Sequence, residues 1–125
     1  MLNNYALVGR VVRDPELKEL ENGTKVLNTT IAVDRRYKDK DNNTITDFIN
    51  LTLWDKAAEN FSKLAHKGDT FSFEGRLANR EISTDNDKKI TTLEPVVERF
   101  SSISHSKSYY DDLNTEKDNK VEMEK

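Results

Sequence analysis

The sequence predicts an all-β domain with one short helix, built as a small five-stranded barrel and followed by a polar tail. Three observations carry that expectation. Apolar and polar residues alternate in several segments of the first hundred residues, a stretch of helical periodicity follows Trp54, and from Ser101 onward sustained periodicity gives way to Ser, Asp, Glu, Lys and Asn.

Tyr5 to Val12 is apolar and β-rich, ends at Arg13-Asp14-Pro15, and is followed by the turn signal Glu21-Asn22-Gly23. Strand two spans Val26 to Arg36, with Leu27, Thr29, Ile31 and Val33 at period two, and dissolves into a projecting charged loop, Tyr37 to Asn43. Thr44 to Trp54 is strand three. Asp55 is suited to cap a helix in which Ala57, Phe61, Leu64 and Ala65 recur until Lys67-Gly68 stops it. Strand four, Thr70 to Ile82, sets Phe71, Phe73, Gly75 and Leu77 on one side and Glu74, Arg76, Arg80 and Ile82 on the other. After a loop from Ser83 to Lys88, Lys89 to Phe100 reads as strand five, with Pro95 marking an edge or a bulge. Three strands, a helix between strands three and four, and two further strands joined by charged loops suggest an OB-fold barrel over residues 1–100, with 101–125 a flexible polar and acidic tail.

The 125 residues suffice for one buried core, while a charged fraction of 34% is high for a fully compact chain, in keeping with an unfolded tail. No run of about 18 apolar residues could span a membrane, and the start lacks the basic flank and apolar stretch of a signal peptide. A soluble cytoplasmic protein is expected. Without cysteine, and with only His66 and His105, far apart in sequence, neither a disulfide framework nor a zinc cluster is expected, and no cofactor is implied. No phosphate-cradling glycine loop or nucleophile motif points to an enzyme. The net charge of −3 divides into 16 Lys+Arg against 17 Asp+Glu in residues 1–100 and 4 against 6 in residues 101–125. A nearly neutral body still permits a basic face, because phosphates respond to the local arrangement of cations.

Strand three carries the most informative pattern. Ile49, Leu51 and Leu53 share one face, and Phe48, Asn50, Thr52 and Trp54 the other, so two large rings stand on the polar side. Rings so placed can stack on unpaired bases, which suggests a grip on single-stranded nucleic acid; barrel core or a subunit interface is the competing reading. Tyr37, at a strand end, is as readily a solvated loop residue, but Arg35, Arg36, Lys38 and Lys40 surround it and suit a phosphate backbone, offset by Asp34, Asp39 and Asp41. Arg76 and Arg80 are further phosphate candidates, with ion pairing to Glu74 as the rival explanation. Lys56 and Lys67 flank the helix, where Lys67 also complements the helix dipole.

Leu2-Asn3, Leu7-Val8-Gly9-Arg10, Asp14-Pro15-Glu16-Leu17, Asn22-Gly23, Asp47-Phe-Ile-Asn50, Trp54-Asp-Lys56, Ala58-Glu-Asn60, Lys67-Gly68 and Gly75-Arg76-Leu77 follow one another as in bacterial single-stranded DNA-binding proteins, which residues 1–100 resemble. The resemblance implies an OB-fold, a homotetramer, and sequence-tolerant coating of single-stranded DNA in replication, recombination and repair. It also implies stacking by the aromatics at Tyr37, Phe48 and Trp54. A fourth family aromatic falls at Ile82, which has no π-face and lies beside Glu81, so that stretch of the DNA path is expected to be weaker. The family's acidic tip with an Ile-Pro-Phe-like end is absent from Val121-Glu-Met-Glu-Lys125, which leaves docking of replication and recombination proteins unsupported by the tail and is in keeping with a phage or plasmid copy. The alternative is another OB module, a primosomal or RNA-binding protein or an adaptor.

Overall fold

A computed structural model describes residues 1–106. These residues form β1 (Tyr5–Val11), β2 (Leu17–Glu19), β3 (Lys25–Lys38), β4 (Thr44–Trp54), α1 (Asp55–Leu64), β5 (Thr70–Ser83) and β6 (Lys89–Ser104). Residues 107–125, most of the expected tail, lie outside the described region, and β6 runs four residues past position 100.

Five strands close a barrel. β1 pairs antiparallel with β5 from Tyr5 to Arg10 and then turns to β3 through Arg10↔Ala32 and Val11↔Ile31, so the order β1-β5-β6-β4-β3 returns to β1. β4 and β6 meet in a single parallel pairing, Thr52↔Val96. This is an OB-fold, with its helix between β4 and β5, the third and fourth strands of the closed circuit. β2 stands outside that circuit as a hairpin partner of β3, Leu17↔Leu27 to Glu19↔Lys25. The sequence reading has no such strand, because three exposed residues are too few to show a period.

Apolar side chains from the inward faces fill the barrel: Val11, Leu27, Ile31, Leu51, Leu53, Phe71, Phe73 and Val97 are buried. Phe61 of α1 stops one end, its ring 5.2 Å from Phe71 and 5.3 Å from Phe100 in edge contacts. The helix enters without the cap expected of Asp55. Trp54 occupies the N-cap position with extended backbone and no side-chain cap, while Asp55 takes a positive φ of 49° and its carboxylate accepts the Lys25 N–H at 3.2 Å. Asp55 therefore ties the start of β3 to the end of β4.

The crossing of β5 over β6 is tighter than any side chain permits. A Cβ on Gly75 would lie 1.8 Å from the Val96 carbonyl oxygen. The register slips at this point, from Glu74↔Arg99 to Gly75↔Val97, so that Glu98 bulges and the strands bend. Beyond the bend β5 and β6 continue as a two-stranded arm. Leu77, which alternation places on the core side, is 39% exposed because the arm has left the barrel there. Pro95, opposite Leu77, sits where β6 needs little from a second neighbour, in agreement with its reading as an edge or bulge residue.

Where the chain passes from α1 into β5, buried Asp69 accepts hydrogen bonds from the backbone N–H groups of His66 at 2.9 Å and Ser106 at 2.6 Å, and contacts His105 Nδ1 at 3.2 Å. The histidines are far apart in sequence, but the pairing Thr70↔Ser104 brings residue 105 beside residue 69. Burial works to raise the Asp69 pKa, yet the Ser106 and His66 N–H groups and His105 together outweigh it and hold the carboxyl below its usual range.

Gly75→Ala is expected to cost at least about 3 kcal/mol in urea unfolding, because a backbone carbonyl cannot move aside as a side chain can. A near-native midpoint would contradict the crossing described. Asp69→Asn is expected to lose about 2–3 kcal/mol at pH 7 through weaker hydrogen bonds. Since the native pKa is depressed, the contribution of Asp69 is full above the ordinary carboxylate value near 4 and fades as pH falls through the native one. Thermal melts between pH 2 and 6 should therefore show a flatter acid limb for the variant than for the parent.

Candidate nucleic-acid interface

The outer face of the β3–β4 ladder carries two of the sequence-predicted rings, Phe48 and Trp54. Cross-strand register sets Val26 opposite Trp54, Asn28 opposite Thr52, Thr30 opposite Asn50, Ala32 opposite Phe48 and Asp34 opposite Thr46. Phe48 is 67% exposed and Trp54 37% exposed, while Leu51 and Leu53 on the opposite parity are buried. Neither ring belongs to the core. Each stands opposite a small or β-branched residue that supports its base, and the rows between them are polar: Thr30 Oγ1 donates to Asn50 Oδ1 at 2.6 Å and Thr52 Oγ1 to Asn28 Oδ1 at 3.2 Å.

Past Phe48 the ladder loses its regular register between Asp34 and Lys38, three residues of β3 lying opposite the single Ile45 of β4. This irregularity is why simple parity is a poor guide to Tyr37. Of the segment expected to be a projecting loop, Tyr37 to Asn43, the first two residues are strand, since β3 continues to Lys38, and Asp39–Asn43 form the turn, where Asp39 Oδ1 accepts the N–H groups of Asp41 and Asn43. Tyr37 is exposed, and its hydroxyl lies 3.1 Å from Arg35 Nη1. Arg35 also forms a two-point pair with Asp47, Nε to Oδ2 and Nη2 to Oδ1, both at 3.0 Å. That hydrogen-bonded pair lowers the Asp47 pKa and raises that of Arg35. Arg35 is thus held between Asp47 and Tyr37.

The β5–β6 arm supplies an opposite wall. Between it, β2 and the β3–β4 face runs a groove of about 620 Å³ whose lining includes Arg13, Lys18, Asn28, Asn50, Arg80 and Leu93. Arg80 is where the sequence reading puts a phosphate contact. Arg13 and Lys18 are cations that reading does not single out, because their approach to Arg80 depends on the arm folding back. Arg76 stays out of the groove lining and pairs with Glu98 across the strands at 3.7 Å, while Glu74 pairs with Arg99 at 3.2 Å, so the expected rivalry with Glu74 is resolved by other partners. Ile82 faces its partner Ile90 near the end of the arm, and both are exposed. Arg36 and Lys38 are exposed on the β3 segment around Tyr37; Lys56 lies in the first turn of α1 and Lys67 beyond its last, both outside the groove lining.

A small Greek-key-type barrel with rings on an outer face and a cation-walled groove defines a member of the OB class. The chain belongs to the single-strand binding protein family, whose family model matches residues 2–103. It is similar to a single-stranded DNA-binding protein of Lactiplantibacillus plantarum, 40% identical over 101 residues that make up 81% of this chain and 50% of the relative. It is also similar to single-stranded DNA-binding protein 1 of Lactococcus lactis, 34% identical over 86% of this chain and 72% of the relative, and to the single-stranded DNA-binding protein of Halalkalibacterium halodurans, 37% identical over 78% and 58%. The chain thus spans about half the length of the first of these curated relatives.

Because the rings are exposed, Phe48→Ala and Tyr37→Ala are expected to leave urea-unfolding free energy within about 0.5 kcal/mol of the parent. A loss of about 3 kcal/mol or more for Phe48→Ala, the scale of a core deletion, would return that ring to the barrel interior.

Proposed function

We propose that this chain binds and protects single-stranded DNA with little sequence preference; the relatives it resembles are named for binding single-stranded DNA. The observation that carries the reading is the exposure of Phe48 and Trp54 on one polar face of β4. Six residues at strand rise separate them by about 20 Å, so several nucleotides lie along the face. Tyr37, Phe48 and Trp54 stack on bases, Ile82 gives apolar contact without a π-face, and Arg35, Arg36, Lys38, Lys56, Lys67, Arg76 and Arg80 are the phosphate candidates. Binding is passive, displacing counterions, keeping unpaired strands apart and shielding them, with no cofactor and no catalytic step.

The setting we assign is replication, recombination and repair in the cytoplasm. Among the described residues no helix is long and apolar enough to cross a membrane. A homotetramer is part of the proposal: the outer row Val8, Ser72 and Ser101 on β1, β5 and β6 is small or apolar, with Val8 54% exposed, and suits contact with a second copy. Light scattering tests it. Any recruitment through the C-terminal segment concerns residues outside the described region.

Trp54 is the only tryptophan, so its emission reports on the platform directly. Oligo-dT is expected to quench it, and added salt to weaken the binding; unchanged emission with no gel shift would refute the proposal. Competition should rank oligo-dT above oligo-U and duplex DNA, the reverse order favouring an RNA-binding module. Ile82→Trp should tighten oligo-dT binding by up to roughly 1–3 kcal/mol through a new stacking face, and unchanged affinity would mean that DNA does not pass along that part of the arm.

A further inference from the structure

We infer that Asn3 is a positioning residue for single-strand binding: its side chain clips the root of the β5–β6 arm and thereby holds Arg80 at the groove. The inference rests on the single-stranded DNA reading. β1 and β5 pair from Arg10↔Thr70 to Tyr5↔Gly75, and the same register carried two residues on would set Asn3 opposite Leu77. The backbone ladder stops short of that row, and the Asn3 carboxamide takes its place. Its Nδ2 donates to the Leu77 carbonyl at 2.8 Å, and its Oδ1 accepts the Leu77 N–H at 2.9 Å. A carboxamide carries both the donor and the acceptor of a peptide group, so this one side chain adds a last row to the sheet.

The clip lies where the arm most needs a fixed direction. β6 pairs with β4 at Thr52↔Val96, and the register of β5 and β6 slips between Glu74 and Gly75, so both strands bend at this level. Beyond it, from Ala78↔Glu94 to Ser83↔Lys89, the arm is a two-stranded ribbon, an element that is marginal by itself. The close approach at Gly75 sets the spacing of the two strands, but not the angle of the pair to the barrel. The Asn3 contact ties the outer edge of β5 to the chain entering β1 and so fixes that angle. Arg80, which lines the groove, lies three residues past Leu77. That is about 10 Å at strand rise, so a swing of about 10° at the root moves it by about 2 Å. Such a shift takes a guanidinium out of hydrogen-bond range of a phosphate in the groove. Release of Asn3 thus lowers the share of molecules whose arm is set for binding, and apparent affinity falls with that share.

The test is a double-mutant cycle between Asn3→Ala and Arg80→Ala, with oligo-dT as the probe and Trp54 emission as the readout. In the parent background Asn3→Ala should weaken oligo-dT binding by roughly threefold to tenfold, the ordinary worth of such hydrogen bonds. The urea midpoint should stay where it is, because Asn3 is exposed. In the Arg80→Ala background the same substitution should change affinity by less than about twofold, since the contact that the clip positions is already gone. Asn4→Ala, at the adjacent exposed position, should leave affinity unchanged. Unchanged affinity for Asn3→Ala overturns the proposal, and so do equal losses in both Arg80 backgrounds or a loss for Asn4→Ala that matches that for Asn3→Ala. Parent protein that fails to bind oligo-dT at all would instead remove the single-stranded DNA reading, and the role of Asn3 with it.

Discussion

The close passage of β5 over β6 at Gly75 is the constraint from which the functional surface follows. With the Val96 carbonyl only 1.8 Å from any Cβ placed there, the two backbones meet at a separation that glycine alone allows. Val96 is also the residue through which β6 makes its one parallel pairing with β4. Barrel closure and departure of the arm thus occur at the same spot. If the strands were held farther apart, β6 would not reach Thr52, and the arm carrying Arg80 and Leu93 would not form a wall facing the β3–β4 ladder.

The ladder turns a period-two sequence into a surface with a defined order: ring, two polar rows, ring. Inward leucines fix the register, since a slip of one residue would exchange Leu51 and Leu53 with Thr52 and Trp54. The same register brings each asparagine opposite a threonine. The irregularity between Asp34 and Lys38 then turns Arg35 toward Asp47 and Tyr37.

Charge is arranged differently from a simple basic patch. Arg10, Arg35, Arg76 and Arg99 each lie within ion-pair reach of a carboxylate, namely Asp34, Asp47, Glu98 and Glu74. Such exposed pairs contribute little to stability, and a phosphate can compete for the cation. Near-neutral net charge is therefore compatible with a polyanionic ligand, provided that stacking supplies sequence-tolerant affinity and cations in the groove supply direction.

The closed-circuit strands, the helix after Trp54 and the stacking candidates on β4 are legible from residue order, because period-two and helical patterns are local and register their own faces. The family resemblance placed Tyr37 among those candidates and marked Ile82 as the departure. The folded chain adds what no local pattern shows: Asp55 serves Lys25 instead of capping α1, Leu77 leaves the core, three residues form β2, and His66 and His105 converge on Asp69. It alone brought Arg13 and Lys18 into one groove with Arg80. These features share one physical cause: each depends on where two distant segments cross, and a crossing is set by closure of the barrel, which no local periodicity encodes.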